Sequence, residues 1–312
     1  MAWSYHHSRT NMDKVYVLGG TGNVGTHVVQ QLLAKNIPTT IYVRSASKAA
    51  KLFGAHQQLT TVEGPSFGED DDFDTFKQSI QGHTRLFLLV AGMKDFVDVK
   101  VRLATIAFDS GIKQMVDISS QYVSTGWRTN TVGDMQRSCE EAVLQLARSY
   151  KQQRYVVTLR PSGFFTNHLW LDLPTIQHNH TIQAAIDPDE RMPLISVRDV
   201  AAAATAVLAD PVEKHEFAVY ELTSAMLSAN ERAQILSRVL QRSITFQQIP
   251  IVDYYRYMVD SLHLPHLIAY GLASDTHGGQ GYVTSGLPIL LGRDPETLEE
   301  WLESVKDQFT PK

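Results

Sequence analysis

The chain carries little that would tie it to a membrane, a secretory route or a nucleic acid. Among its 312 residues there is one cysteine, Cys139, so no intramolecular disulfide can form, which fits a reducing compartment. No run of 18 or more apolar residues reads as a membrane-spanning helix. Lys and Arg number 28 against 33 Asp and Glu, a net charge of −5, so no basic field favours a nucleic-acid partner. Residues 1–12 are polar, contain His6 and His7, and lack the apolar segment of a secretory signal. The expected localisation is cytoplasmic. There is no internal repeat and no low-complexity linker. His178 and His180, like His263 and His266, lack a carboxylate or cysteine partner at a recognisable interval, and no metal site is expected. Glu69–Asp72 reads as a solvated acidic loop.

Against these absences stands one strong local signal. Residues 15–25 read Val-Tyr-Val-Leu-Gly-Gly-Thr-Gly-Asn-Val-Gly, a β-type run that breaks into glycines and opens a helical pattern from His27 to Leu33. Such a turn lets the backbone approach a pyrophosphate without Cβ collisions, and the helix N-terminus offers unpaired N–H groups to the anion. Gly19, Gly22 and Gly25 give a G-x-x-G-x-x-G spacing, and Gly20-Thr21-Gly22 with Gly25 also satisfies G-x-G-x-x-G. The next β-type run, Thr39–Val43, ends at Arg44-Ser45, with Lys48 close behind. A carboxylate in this place receives the ribose 2′-hydroxyl of NAD, whereas a guanidinium pairs with a 2′-phosphate. The expected cofactor is therefore NADP(H). A surface arginine that only stacks on adenine is the alternative.

Strand and helix signals alternate from Val15 to about Arg160: helices near 46–53, 73–81, 95–110 and 135–150, strands near 59–62, 85–90, 114–119 and 155–159. This rhythm predicts an α/β fold, a Rossmann-type doubly wound parallel sheet in the order 3-2-1-4-5-6. Residues 13–160 form the expected dinucleotide-binding domain. Residues 161–312 form the expected smaller, mainly helical substrate lobe, with a segment near 195–222 returning to the first domain. Residues 169–187 read as irregular. An alanine-rich helix at 200–208 is expected to take Asp199 as its cap, and Arg160 is expected to pair with a carboxylate.

The chain resembles the NmrA-like and isoflavone-reductase-like branch of the atypical short-chain dehydrogenase/reductases. The resemblance rests on residues 19–25, on Val43-Arg44-Ser45, on Leu159-Arg-Pro-Ser-Gly-Phe-Phe-Thr-Asn167 and on Ile195-Ser-Val-Arg-Asp-Val-Ala201. It implies that Gly19, Thr21, Gly22, Asn23, Val24 and Gly25 hold the pyrophosphate. It assigns the 2′-phosphate to Arg44, with Ser45 and Lys48 beside it. Val90, Ala91 and Gly92 would pass the adenosine and ribose, and Phe164 would line the nicotinamide side.

Reductases of this superfamily use a Tyr-x-x-x-Lys pair, in which the lysine lowers the tyrosine pKa. Residues 131–141 contain neither tyrosine nor lysine. Ser119 occupies the place of the substrate-orienting serine, and Arg137, four residues before Glu141, occupies a place where relatives keep Lys or His. Tyr122 is a candidate displaced proton donor, as are Tyr254, Tyr255 and Tyr257. Trp127, Phe165, His168, Trp170 and Tyr254 are candidate substrate-pocket residues. The resulting expectation is an NADPH-dependent oxidoreductase that passes hydride to a small planar carbonyl, imine, enone or quinone. The alternatives are a non-catalytic NADP(H)-sensing regulator that binds a protein partner, and a dinucleotide-bound enzyme of non-redox chemistry.

Overall fold

The computed structural model describes residues 13–67, 73–90, 92, 95–274 and 281–310. The acidic run, Ala91 and residues 1–12 lie outside them.

Twelve strands run along the described chain: β1 (Val15–Leu18), β2 (Thr39–Val43), β3 (Leu59–Glu63), β4 (Arg85–Leu88), β5 (Gln114–Ile118), β6 (Tyr155–Pro161), β7 (Gly163–Phe164), β8 (Thr181–Ala184), β9 (Arg191–Ile195), β10 (Val219–Leu222), β11 (Ala225–Ser228) and β12 (Thr245–Gln248). Seven form a parallel sheet in the order β10-β6-β5-β4-β1-β2-β3. The expected order is present, with β10 added beside β6. Helices α1 (Asn23–Ala34), α2 (Ala46–Phe53), α3 (Asp74–Ser79), α4 (Phe96–Asp109) and α5 (Thr131–Ser149) connect the first six strands. The crossover rule for parallel strands demands such helices. In α1 the apolar face Val24, Val28, Val29, Leu32 and Leu33 is buried at helical spacing. Strand β1 is buried at all four positions, as a central parallel strand must be.

Two compact units divide the chain, and each is discontinuous in sequence. The first comprises the described residues up to Asp117 with Ala142–Val157 and Ala204–Ala218. Its core holds Tyr16, Phe76, Leu86, Leu103 and Phe108. The second comprises Ile118–Glu141, Thr158–Ala203 and the described residues from Val219 onward. Its core packs Phe165, Ile176, Leu236, Trp301 and Phe309.

The stretch expected to be irregular is ordered. It holds α6 (Leu173–Asn179), which starts with Pro174 in its first turn, where the missing N–H costs nothing. Strand β8 follows and pairs in parallel with β12. A three-stranded sheet β11-β9-β7 accompanies it, so the C-terminal part is helical but not helix alone. Helix α7 (Val197–Ala209) begins three residues before the expected start. Asp199 does not cap it. The Ser196 hydroxyl accepts the Arg198 N–H, while buried Asp199 accepts from Arg293 Nη2 (2.7 Å) and from the Glu296 N–H (2.8 Å). Burial raises the Asp199 pKa, and these donors offset part of that rise.

Candidate functional site

In the first unit, a cleft of about 360 Å³ lies against the glycine turn. Gly19 has φ +76°, and a Cβ there would sit 2.8 Å from the Leu89 carbonyl oxygen. A Cβ on Gly25 would sit 2.1 Å from the Gly19 carbonyl oxygen. The first and third glycines thus meet, and the turn closes with the Gly22 N–H donating to Gly19 O at 3.0 Å. Gly22 is the N-cap of α1 and supplies no side-chain acceptor to its first turn. Those N–H groups are the donors an anion takes.

Of the residues that the sequence reading assigns to a dinucleotide, Gly19, Thr21, Gly22, Asn23, Arg44, Lys48 and Val90 line this cleft. Arg44 and Lys48 are exposed and make no ion pair to any described residue. Four expected residues stand elsewhere. Val24 and Gly25 are buried beneath the turn and shape it. Ser45 caps α2 by accepting the Lys48 N–H at 3.2 Å. Gly92 has φ +104° and is not among the lining residues.

Sequence reasoning missed part of the wall. Tyr42 and Phe67 stack with ring centroids 4.8 Å apart and face the cleft together with Pro65 and Ser66. The Tyr42 hydroxyl donates to Pro65 O at 3.0 Å. A Cβ on Gly64 would lie 2.2 Å from that hydroxyl, so the Gly64-Pro65 dipeptide after β3 was the available signal.

The second unit contains a separate cavity of about 110 Å³. It brings together four of the expected residues, Tyr122, Phe164, His168 and Tyr254, and adds Asn167, Asp172 and Arg232. His168 is 2% exposed, and its Nδ1 lies 2.5 Å from Asp172 Oδ2. With the carboxylate ionised, Nδ1 carries the proton. Burial, and next the Asp172 charge, push the Tyr254 phenol well above its ordinary pKa, so it stays protonated at neutral pH. Tyr257 donates to Leu171 O (3.0 Å) and Tyr255 pairs with His266 (2.9 Å), which leaves Tyr254 as the cavity tyrosine of that trio.

The remaining expected residues do not meet in this cavity. Phe165 is fully buried against Trp301, with centroids 6.1 Å apart. Trp127 and Trp170 are exposed; Trp170 Nε1 donates to Asn167 at 3.2 Å. Ser119 donates its hydroxyl proton to Glu140 Oε1 at 2.5 Å. Arg160 clamps the same carboxylate through Nε (3.0 Å) and Nη2 (2.5 Å), which is the expected arginine–carboxylate pair. Arg137 does not pair with Glu141. Its Nη2 donates to the carbonyls of Val123 and Thr125 at 2.6 Å each, and Nη1 reaches Asp134 at 3.2 Å. It therefore staples the loop before α5 onto that helix. The glutamate that matters on α5 is Glu140, one residue earlier in the helical register, and the position one turn before it is Gln136.

A family model described as the NmrA-like family matches residues 11–302. The chain belongs to the NmrA-like family. This member is 24% identical over 309 residues to the NAD(P)H azoreductase of Xenophilus azovorans, covering 95% of this chain and 99% of that protein. Among solved structures, the NADPH-dependent quinone oxidoreductase QOR2 of Escherichia coli, complexed with NADPH, superposes with a TM-score of 0.77 at 23% identity, covering 94% of this chain and 99% of the other. Nmra, a negative transcriptional regulator in complex with NAD, superposes at 0.72 with 18% identity, covering 95% and 96%. The fold is thus shared by reductases and by a regulator.

Proposed function

We propose that this NmrA-like chain is an NADPH-dependent reductase of small planar acceptors. The observation that carries the reading is the pair of exposed cations, Arg44 and Lys48, without an ion pair among the described residues, on a cleft whose glycine turn leaves no room for a Cβ at Gly19 or Gly25. The residues fit the dinucleotide: a cradle that any Cβ would fill, an uncapped helix N-terminus for the diphosphate, and two cations for a 2′-phosphate. The Tyr42–Phe67 stack offers an aromatic surface to the adenine. The azoreductase and quinone oxidoreductase relatives support a reducing role.

Bound NADPH supplies a hydride, and the chain supplies binding, orientation and exclusion of water. The cavity around Phe164 and Tyr254 would hold the acceptor. Asp172 fixes the ring of His168, which is then the cavity group suited to hold a proton. Tyr254, kept protonated, donates a hydrogen bond rather than a proton. Quinones, iminium ions and similar acceptors ask little of an acid, which suits a helix α5 without a Tyr-x-x-x-Lys pair.

The test is NADPH oxidation at 340 nm with 2-methyl-1,4-naphthoquinone, a cyclic imine and an enone, alongside calorimetric titration of NADPH and NADH. Turnover of any acceptor above background with tighter NADPH binding is expected. Tight NADPH binding with no turnover on any of them would favour the second reading, a dinucleotide-sensing regulator, to which the likeness to Nmra lends weight.

A further inference from the structure

Helix α8 (Ala229–Leu240) starts with a capping box, in which Ser228 and Glu231 exchange side-chain and backbone hydrogen bonds. One residue later stands Arg232, on the buried face of the helix with Ala229, Ala233 and Leu236. Arg232 is 8% exposed and lines the second cavity. Among the described residues it makes no hydrogen bond and no ion pair, and its Nε is buried without a partner. Asp172, whose charge attracts it without forming an ion pair, is engaged by His168. Burial pulls the guanidinium pKa down, and the attraction of Asp172 and Tyr254 offsets only part of that pull.

Such a group is expensive. A buried charge without a hydrogen-bonded partner is costly, and folded chains retain one where a ligand can supply that partner. One part of the cavity wall is apolar, with Phe164, Leu171, Ile182, Ala184 and Leu194, while His168, Asp172 and Tyr254 line the rest with Arg232. Its volume of about 110 Å³ is on the scale of the roughly 150 Å³ void that encloses a benzene ring. We infer that the acceptor of this enzyme carries a carboxylate on a small, largely apolar ring or chain, and that Arg232 is its counter-ion. The planar fork of the guanidinium suits a two-point grip on a carboxylate. This inference rests on reading the second cavity as the acceptor site.

The experiment titrates the full chain, with NADPH present and absent, with benzoate and its neutral isostere benzamide, followed by calorimetry or saturation-transfer NMR. The native chain is expected to bind benzoate roughly 10- to 100-fold more tightly than benzamide, the span of one charge-assisted contact. Arg232→Met should bind the two alike, and Arg232→Lys should keep part of the preference. Because Arg232→Met removes an unpaired buried cation, its Tm should not fall, an outcome that a merely structural arginine would not give. Equal affinity for the two probes in the native chain, or an undiminished preference in Arg232→Met, overturns the inference. If Arg232→Met fails to fold, the native comparison and Arg232→Lys decide. NADPH affinity is read separately. Its absence beside a clear benzoate preference would remove the dinucleotide reading and leave Arg232 in its role.

Discussion

The two units bury cations in opposite ways. In the first, Lys100 faces Asp117 at 2.7 Å with both side chains fully buried, and Arg85 reaches Asp13 (2.8 Å) and Gln114 (2.7 Å). Each of these buried charges has its counterweight within the chain. In the second unit Arg232 has no ion pair or hydrogen bond among the described residues, although it is buried to a similar depth. Compensated charge is part of the scaffold, and uncompensated charge marks a place kept for a ligand. The two cavities differ in the same sense. The first is shaped by backbone and by glycines, with its cations at an exposed rim. The second is shaped by side chains, apolar ones together with the buried polar groups His168, Asp172 and Arg232.

The comparison breaks most sharply at the glycines. Gly25→Val drives side-chain carbons into the Gly19 carbonyl and should cost more than about 100-fold in NADPH affinity by calorimetry. Retained affinity would mean that the turn is not the diphosphate cradle. Next comes the scaffold pair. Lys100→Met takes the ammonium partner from the buried Asp117 carboxylate and should lower the urea-unfolding free energy by about 3–5 kcal/mol, in contrast to Arg232→Met. Equal losses in both would erase the distinction between paired and unpaired burial.

A smaller effect belongs to Arg44. Arg44→Asp should cut the NADPH-over-NADH affinity ratio roughly 10- to 100-fold while NADH still binds. An unchanged ratio would take Arg44 out of 2′-phosphate recognition.

The smallest effect is expected at Glu221. Burial raises its pKa, but hydroxyl donors Ser124 and Tyr282 and the Arg160 charge outweigh burial and hold it below the ordinary glutamate value. A depressed carboxylate stabilises the fold at pH values above its unfolded pKa, and that stability is lost as pH falls through the folded value. Glu221→Gln should therefore show a shallower decline of Tm between about pH 5 and 3 than the native chain. A parallel decline in both would show that the carboxylate is not coupled to folding.

Much of the first unit was legible because its signals are local. Strand β2 and helix α2 occupy the expected spans, since a β-branched run and a serine-capped helix are written within a dozen residues. Strand β8 was illegible. It is four residues long and ordered by pairing with β12, some sixty residues away, and no local pattern reports such a partner. On α5 the sequence shows two adjacent glutamates, Glu140 and Glu141, and their order alone does not tell which faces Arg160. The helix register against β6 selects Glu140, and Arg137 turns to the loop carbonyls instead. The Tyr42–Phe67 stack was missed for a like reason: its two rings come from separate elements.

By itself the sequence determined the α/β rhythm, the sheet order, the glycine cradle and the cations after β2. Each follows from steric and hydrogen-bonding demands that act between near neighbours. Only the tertiary structure decided which charges are neutralised. Whether Lys100, Arg160 or Arg232 meets a carboxylate depends on side chains converging from distant segments, and Coulomb attraction and desolvation depend on that convergence rather than on order along the chain.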